Sequence, residues 1–241
     1  MRDNLRAIYY IALKDIRTYY LKPPAISWGI VFPITWILAF YLRMPGDFRE
    51  LVPGLIAMTI LFSTTAAEAV VINFELRLGS LERLLLAPVT VPAVLMGKIA
   101  GGAIFGCIMT AIVTMGSVFF LEIHSNMLYL TIIILISCMT FATLGAFLCV
   151  LVKEVFEAQT LLNLPRFIMI FLSGVVYPIS KMPLWLQYVS HSLPLTYTVN
   201  GIRNCFVNGA ILPVFKDILI LIGFFILFLV LAIRFLHKKF E

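Results

Sequence analysis

Few side chains in this sequence are placed to do chemistry. Glu68 is the one acidic residue well inside an apolar run, where a carboxyl is costly and a functional role is the default expectation. The bland alternative for Glu68 is a protonated or hydrogen-bonded carboxyl near the membrane boundary. Ser173 and His191 are candidates for the nucleophile and base of an intramembrane hydrolase, but the serine stands in F-L-S-G rather than G-x-S-G. The histidine falls outside the apolar runs, and a Ser-Gly pair in a membrane helix more often serves packing. Cys107, Cys138, Cys149 and Cys205 show no C-x-x-C or zinc spacing, and three of them lie inside apolar runs. A thiol behaves there as a small hydrophobe, so neither a disulfide nor a metal site is read from them. No G-x-x-x-x-G-K-[ST] occurs, so no phosphate-cradling loop of that kind is encoded and any ATP would be hydrolysed on another polypeptide. Arg166 follows Pro165 near one end of its apolar run and is expected to snorkel to the interface.

The elements that must position these residues are membrane spans. Of 241 residues, 62% are apolar and 12% charged, and the mean hydropathy is +1.05; soluble domains lie nearer half apolar and about a quarter charged. No polar stretch is long enough for a soluble catalytic domain, so the expected architecture is an all-α membrane protein forming a single transmembrane domain over 1–241. The formal charge of +6 belongs to loops and lipid headgroups and does not point to nucleic acid.

Residues 1–22 carry charge throughout and are not read as a signal peptide. Leu5, Ile8, Tyr9, Ala12, Ile16, Tyr19 and Tyr20 recur at three- and four-residue steps. The segment therefore reads as a basic amphipathic helix at the membrane interface, with Arg6, Lys14 and Arg17 toward anionic lipid. Six spans follow, at roughly 25–42, 51–73, 93–121, 127–152, 159–178 and 214–236. In the third, Gly97, Gly101, Gly102 and Gly106 permit close helix approach at small-xxx-small spacing, although glycine is common in membrane helices in any case.

Two connecting segments differ from ordinary loops. Between Asn73 and Lys98, polar Glu75, Arg77, Glu82 and Arg83 alternate with Leu76, Leu81, Leu84 and Leu85 at helical spacing. Gly79 and Ser80 allow a bend, and Pro88 and Pro92 stop the helix. Such a two-faced helix can dock a partner and pass its motion to the spans, or simply lie on the surface as a connector. Between Tyr177 and Pro213 the chain is too polar and proline-broken to span, yet too apolar for an aqueous loop. It reads as two short helices dipping into the opposite interface, bent at Pro178, Pro183 and Pro194 and anchored by Trp185 and Tyr197.

Six spans put both termini on one side. Of the 18 Lys and Arg residues, only Arg43, Arg49, Lys181, Arg203 and Lys216 then fall on the other side, so the positive-inside bias predicts cytoplasmic termini in a plasma-membrane protein. The Asn73–Lys98 segment is cytoplasmic on the same reading, and the proline-broken segment faces out.

Three stretches, taken in order, resemble the membrane subunit of ABC-2 type exporters. L-G-S-L-E-R-L-L-L-A-P-V at 78–89 is similar to that family's coupling helix, G-T-L-E-x-L-L-x-x-P. F-L-S-G-V-V-Y-P-I-S at 171–180 resembles its L-S-G-x-x-F-P-I, and L-P-L-T-Y-T-V-N-G-I-R at 193–203 resembles its L-P-L-T-x-x-x-x-x-x-R. The resemblance covers essentially the whole chain. It implies a permease paired with a second copy of itself or a related permease, served by a nucleotide-binding ATPase that holds ATP and Mg, with no cofactor on this chain. Glu75, Arg77, Gly79, Glu82, Arg83 and Pro88 would face that ATPase, and Tyr177, Pro178, Pro183, Trp185, Pro194, Tyr197 and Arg203 would form an outer gate. The cargo implied is hydrophobic or amphipathic: a drug-like molecule, a lipid or a lipid-linked glycan. The chain departs from the family where an Arg-Glu pair often precedes the glycine; here the order is Glu75-Leu-Arg77-Leu-Gly79. Its first residues also lack the R-D-x-x-x-R-Y and L-G-x-x-W pattern of the polysaccharide-exporting branch, echoed only by Lys14-Asp15 and Trp28. The rival reading is a self-powered channel or secondary transporter with Glu68 on an ion or proton path.

Overall fold

The long apolar runs fold as helices because a backbone in lipid must satisfy its polar groups within the segment. The computed structural model describes residues 2–20, 23, 27, 31–43, 48–86, 89–121, 126–152, 155–206 and 211–240. Among these the chain is helical with no strand. It runs α1 (Arg2–Asp15), a π-helical turn (Ile16–Tyr20), α2 (Phe32–Arg43), α3 (Phe48–Arg77), α4 (Ser80–Leu85), α5 (Val91–Leu121), α6 (Met127–Leu151) and α7 (Val155–Leu172). A 3-10 turn (Ile179–Lys181), α8 (Leu184–His191), α9 (Pro194–Phe206) and α10 (Ile211–Phe240) follow.

Among the described residues, four segments are long and apolar enough to cross a membrane: Glu50–Arg77, Val91–Ser117, Met127–Leu151 and Leu212–Lys238. They correspond to the second, third, fourth and sixth expected spans. The first expected span is described as helix over Phe32–Arg43. The fifth ends earlier than expected, at Leu172, and its apolar part, Thr160–Leu172, is shorter than a full crossing. The helix stops there because Gly174 takes a φ of +79°, a conformation that side chains other than glycine rarely adopt.

Burial separates the centre of the bundle from its rim. The apolar window of α3 is 94% buried, whereas that of α10 is 11% buried. Helix α3 packs against α5, α6, α7, α9 and α2, and α10 lies against α6 and α9. The core therefore runs along α3, from Val52 and Ile56 through Phe62 to Ile72, with Ile99, Phe141, Leu162 and Val199 around it. Helix α3 also carries Thr59, Ser63, Thr64 and Thr65, all buried. Their hydroxyls donate to carbonyls one turn back, Thr59 to Leu55 at 2.9 Å and Thr64 to Ile60 at 2.8 Å, so the polar atoms are satisfied without leaving the helix.

The glycines of α5 do pack. A β-carbon at Gly106 would stand 2.2 Å from Thr64 Cγ2, and one at Gly97 would stand 2.9 Å from Ile11 Cβ. The same helix thus presents one small-residue stripe to α1 and another to α3, as the spacing suggested.

Candidate functional site

Charges gather where α3 ends and α5 begins. Lys14 and Asp15 close the last turn of α1, Glu75 lies in the last turn of α3, and Lys98 stands two turns into α5. Lys14 Nζ and Lys98 Nζ donate to the two oxygens of Glu75. Lys98 Nζ also donates to Asp15 Oδ2 at 3.4 Å, and Lys14 Nζ lies 3.0 Å from Asp15 Oδ1. Two cations and two anions form one closed, electrically balanced ring. Asp15, Glu75 and Lys98 are buried, and only Lys14 keeps substantial exposure, at 40% of its side chain. Removing a lone charge from water costs several kcal/mol, so three buried charged groups are tolerable here because each has opposite charge within reach.

The surroundings act on the two groups of α1 in different ways. Burial raises the Asp15 carboxyl above its ordinary range, and Lys98 and Lys14 only partly offset it. For Lys14, burial works against the charged form, but the hydrogen bond to Glu75 and the charges of Asp15 and Glu75 outweigh it and raise the ammonium's pKa. Lys14 therefore turns into the protein, and its expected orientation toward lipid is corrected. Arg6 and Arg17 remain exposed.

Apolar contacts fasten the same elements together. Ile11 of α1 fits over Gly97, and Ala12 and the Tyr20 ring lie against Gly101. Ile11 and Val94 form a small cluster with Ala7, Leu76, Leu84 and Val89, which brings α1, the end of α3, α4 and the start of α5 into one contact.

The expected coupling helix is shorter than its sequence pattern suggested. Glu75 and Arg77 belong to α3, which continues past the apolar run; only Glu82 and Arg83 fall in the six-residue α4. The break is Gly79, at a φ of +65°, which is why one continuous helix does not form. Arg77 and Arg83 are exposed, together with Phe74, Leu78 and Leu86. The side chain of Glu82, and Pro88 altogether, lie outside the described residues. Pro92 stands in the first turn of α5, where its missing N–H costs nothing.

Deeper in the bundle, Glu68 is fully buried. A β-carbon at Gly102 would stand 2.2 Å from Glu68 Oε1, and one at Gly145 would stand 3.2 Å from Glu68 Cβ; two glycines thus make room for this one side chain. Neither of its carboxyl oxygens has a hydrogen-bond partner among the described residues. Arg166 does not snorkel. It is 1% exposed and turns to α3, donating from Nε to Thr65 Oγ1 at 2.8 Å and from Nη1 to Asn163 Oδ1 at 2.9 Å. Its guanidinium also lies 5.3 Å from the centre of the Phe62 ring, a cation–π contact that a planar, delocalised cation makes well.

At the opposite end, the chain after Tyr177 folds into α8 and α9. Tyr197 donates to the His191 carbonyl at 2.7 Å, Arg203 Nη2 donates to the Gly174 carbonyl at 3.2 Å, and Ser137 and Thr198 share a hydrogen bond of 3.0 Å. Pro194 is buried at the start of α9; Tyr177, Pro178, Pro183 and Trp185 are exposed. Ser173 and His191 do not form a catalytic pair: His191 Nδ1 lies 2.6 Å from the Gln187 carbonyl oxygen, and Ser173 Oγ has no hydrogen-bond partner among the described residues.

Sequence reasoning selected Glu75 and Lys14 but gave no role to Asp15 or Lys98, and it misplaced Arg166. The available signal was the helical register. Glu68 and Glu75 are seven residues apart and share a face of α3, so a basic residue on the next span was the expected counterpart.

These features define a helical, multi-pass membrane protein with a charged, multi-helix junction at one end. The ABC-2 type transporter family model matches residues 6–207, and the chain belongs to that family. It is similar to the inner membrane transport permease YadH of Escherichia coli, at 27% identity over 92% of this chain and 93% of that one. It is also similar to the putative transport permease ycf38 of Cyanophora paradoxa, at 27% identity over 76% of this chain and 68% of that one. The probable multidrug ABC transporter permease YbhR of Escherichia coli is 26% identical over 68% of this chain and 45% of its own. The chain is thus a transport permease subunit of an ABC transporter.

Proposed function

We propose that this permease is the six-span membrane subunit of an ATP-driven exporter, working as a pair and powered by a separate nucleotide-binding ATPase. The observation that carries the reading is the closed charge ring joining α1, α3 and α5 beside α4. A partner pressing on α1 and α4 from the cytoplasm would move α3, the helix on which the core is built. Exposed Arg77 and Arg83 beside exposed Phe74, Leu78 and Leu86 offer that partner a mixed polar and apolar face.

On this reading both termini are cytoplasmic, and α8 and α9 form the outer gate. The exposed stripe Ile34, Leu38 and Leu42 of α2, together with Leu164, Phe167, Ile168 and Phe171 of α7, supports a second copy packing there. The cargo is hydrophobic or amphipathic. The apolar helix surfaces and the multidrug designation of one relative favour that class. ATP closes the partner ATPases, their motion enters through α1 and α4, and a path between the two permeases opens outward past α8 and α9.

Pull-down of the tagged permease in mild detergent, followed by an ATPase assay, tests the reading. Wild type brings down an ATPase, and Glu82→Lys or Arg83→Glu loses it or its coupling without loss of folding. A permease that stays alone yet conducts ions in liposomes would overturn it in favour of a self-powered channel.

A further inference from the structure

Glu68 is a buried carboxyl that no described hydrogen bond accounts for, and the geometry around it supplies a partner. Helices α3 and α5 run antiparallel: Glu75 meets Lys98, Glu68 lies at Gly102, and Thr64 lies at Gly106. Glu68 and Glu75 are seven residues, or two turns, apart on one face of α3. On the facing helix, Lys98 and Gly102 are four residues apart and also share a face. Lys98 therefore stands between two carboxyls. It is bonded to the one at the membrane boundary, while the other waits one α5 turn deeper in a slot that Gly102 and Gly145 keep clear.

We propose that Lys98 exchanges partners during the working cycle, held by Glu75 and Asp15 while α1 is docked and received by Glu68 when α1 is drawn off. The proposal rests on the reading in which a partner ATPase moves α1, and it names the side chains that carry that motion from the membrane boundary into the bundle. When α1 leaves, it takes Lys14 and Asp15 with it, and the ring loses one cation and one anion. Lys98 is then buried beside a single acid. A second carboxyl within reach lowers the cost of that state, and transfer to it swings the Lys98 side chain inward along α5 by one helical turn, ~5.4 Å. Gly102 suits such a swing because it adds no side chain of its own to the slot around Glu68.

The permease alone, purified in mild detergent, tests this by a double-mutant cycle read as thermal unfolding midpoints. Lys14→Gln with Asp15→Asn removes the share of α1 in the ring and stands in for the drawn-off state. In the wild-type background Glu68→Gln is expected to shift the midpoint by about 1 °C or less. In the Lys14→Gln/Asp15→Asn background it lowers the midpoint by about 4 °C or more. Adding Lys98→Met abolishes that second shift. An equal effect of Glu68→Gln in both backgrounds, or one that survives Lys98→Met, overturns the exchange. If the double variant does not fold, Asp15→Asn alone provides the altered background, with the same pattern at smaller amplitude. No ATPase enters the measurement, so its failure leaves the pull-down result standing, and a failed pull-down leaves this cycle readable.

Discussion

The two ends of the bundle are held by different physics. Where α3 ends and α5 begins, four charged side chains from three helices close a ring, and three of them are buried. Where α8 and α9 cap the other end, the described polar ties are single hydrogen bonds to carbonyls and hydroxyls, such as Tyr197 to His191 and Arg203 to Gly174. A buried ion ring is specific and intolerant of misalignment, so it would suit the coupling role proposed for this junction. Single hydrogen bonds and exposed aromatic rings such as Trp185 and Tyr188 cost less to break than a buried ion ring, which would suit the outer gate proposed for this end. The middle of the bundle uses a third device, back-bonded hydroxyls and glycine slots that keep the polar positions of α3 compatible with an apolar core.

The contrast can be broken at its strong end first. Glu75→Ala leaves Lys98 and Lys14 without their shared acid and is expected to cost about 3–5 kcal/mol, the usual penalty for breaking a buried pair from one side. Thermal unfolding in detergent would read it, and a change within experimental error would deny the ring its structural role. Gly106→Leu drives a side chain into Thr64, with an expected cost of about 1–3 kcal/mol by overpacking. It sharpens the comparison by showing how tightly α3 and α5 are apposed. At the cap, Tyr197→Phe removes one bond to the His191 carbonyl and should cost only about 0.5–1.5 kcal/mol. Trp185→Ala, on an exposed face of α8, should leave stability within about 0.5 kcal/mol. If a cap variant proved as damaging as Glu75→Ala, the two ends would not differ in the way described.

Hydropathy alone located the four long spans to within a few residues at most of their ends, because a run of about 20 apolar residues has few other ways to fold. The glycine spacing of α5 was equally readable. The charge ring was not, since Lys14 and Asp15 meet Glu75 and Lys98 across 61 to 83 residues of chain and no local pattern links them. The helix through Phe74 and Leu76 to Arg77 was misread for a related reason: its polar residues suggested a separate element, whereas the backbone of α3 simply continues until Gly79 permits a turn. Arg166 was expected at the surface because an isolated arginine near a span end usually reaches water. Thr65, Asn163 and Phe62 lie on its path and hold it inside, and that arrangement is a tertiary fact absent from the run of residues around it.

The central claim is that the ring carries coupling as well as stability. Glu75→Met combined with Lys98→Met separates the two, because replacing both members of a buried pair with apolar side chains commonly preserves folding. Lys14 and Asp15 are left to pair with each other. The measurement is ATP-dependent uptake of a fluorescent amphiphile into inverted vesicles holding the permease and its co-purified ATPase, with ATP hydrolysis followed in parallel. The account predicts a folded complex that hydrolyses ATP but moves little or no dye. Dye uptake at the wild-type rate in this double variant would contradict it.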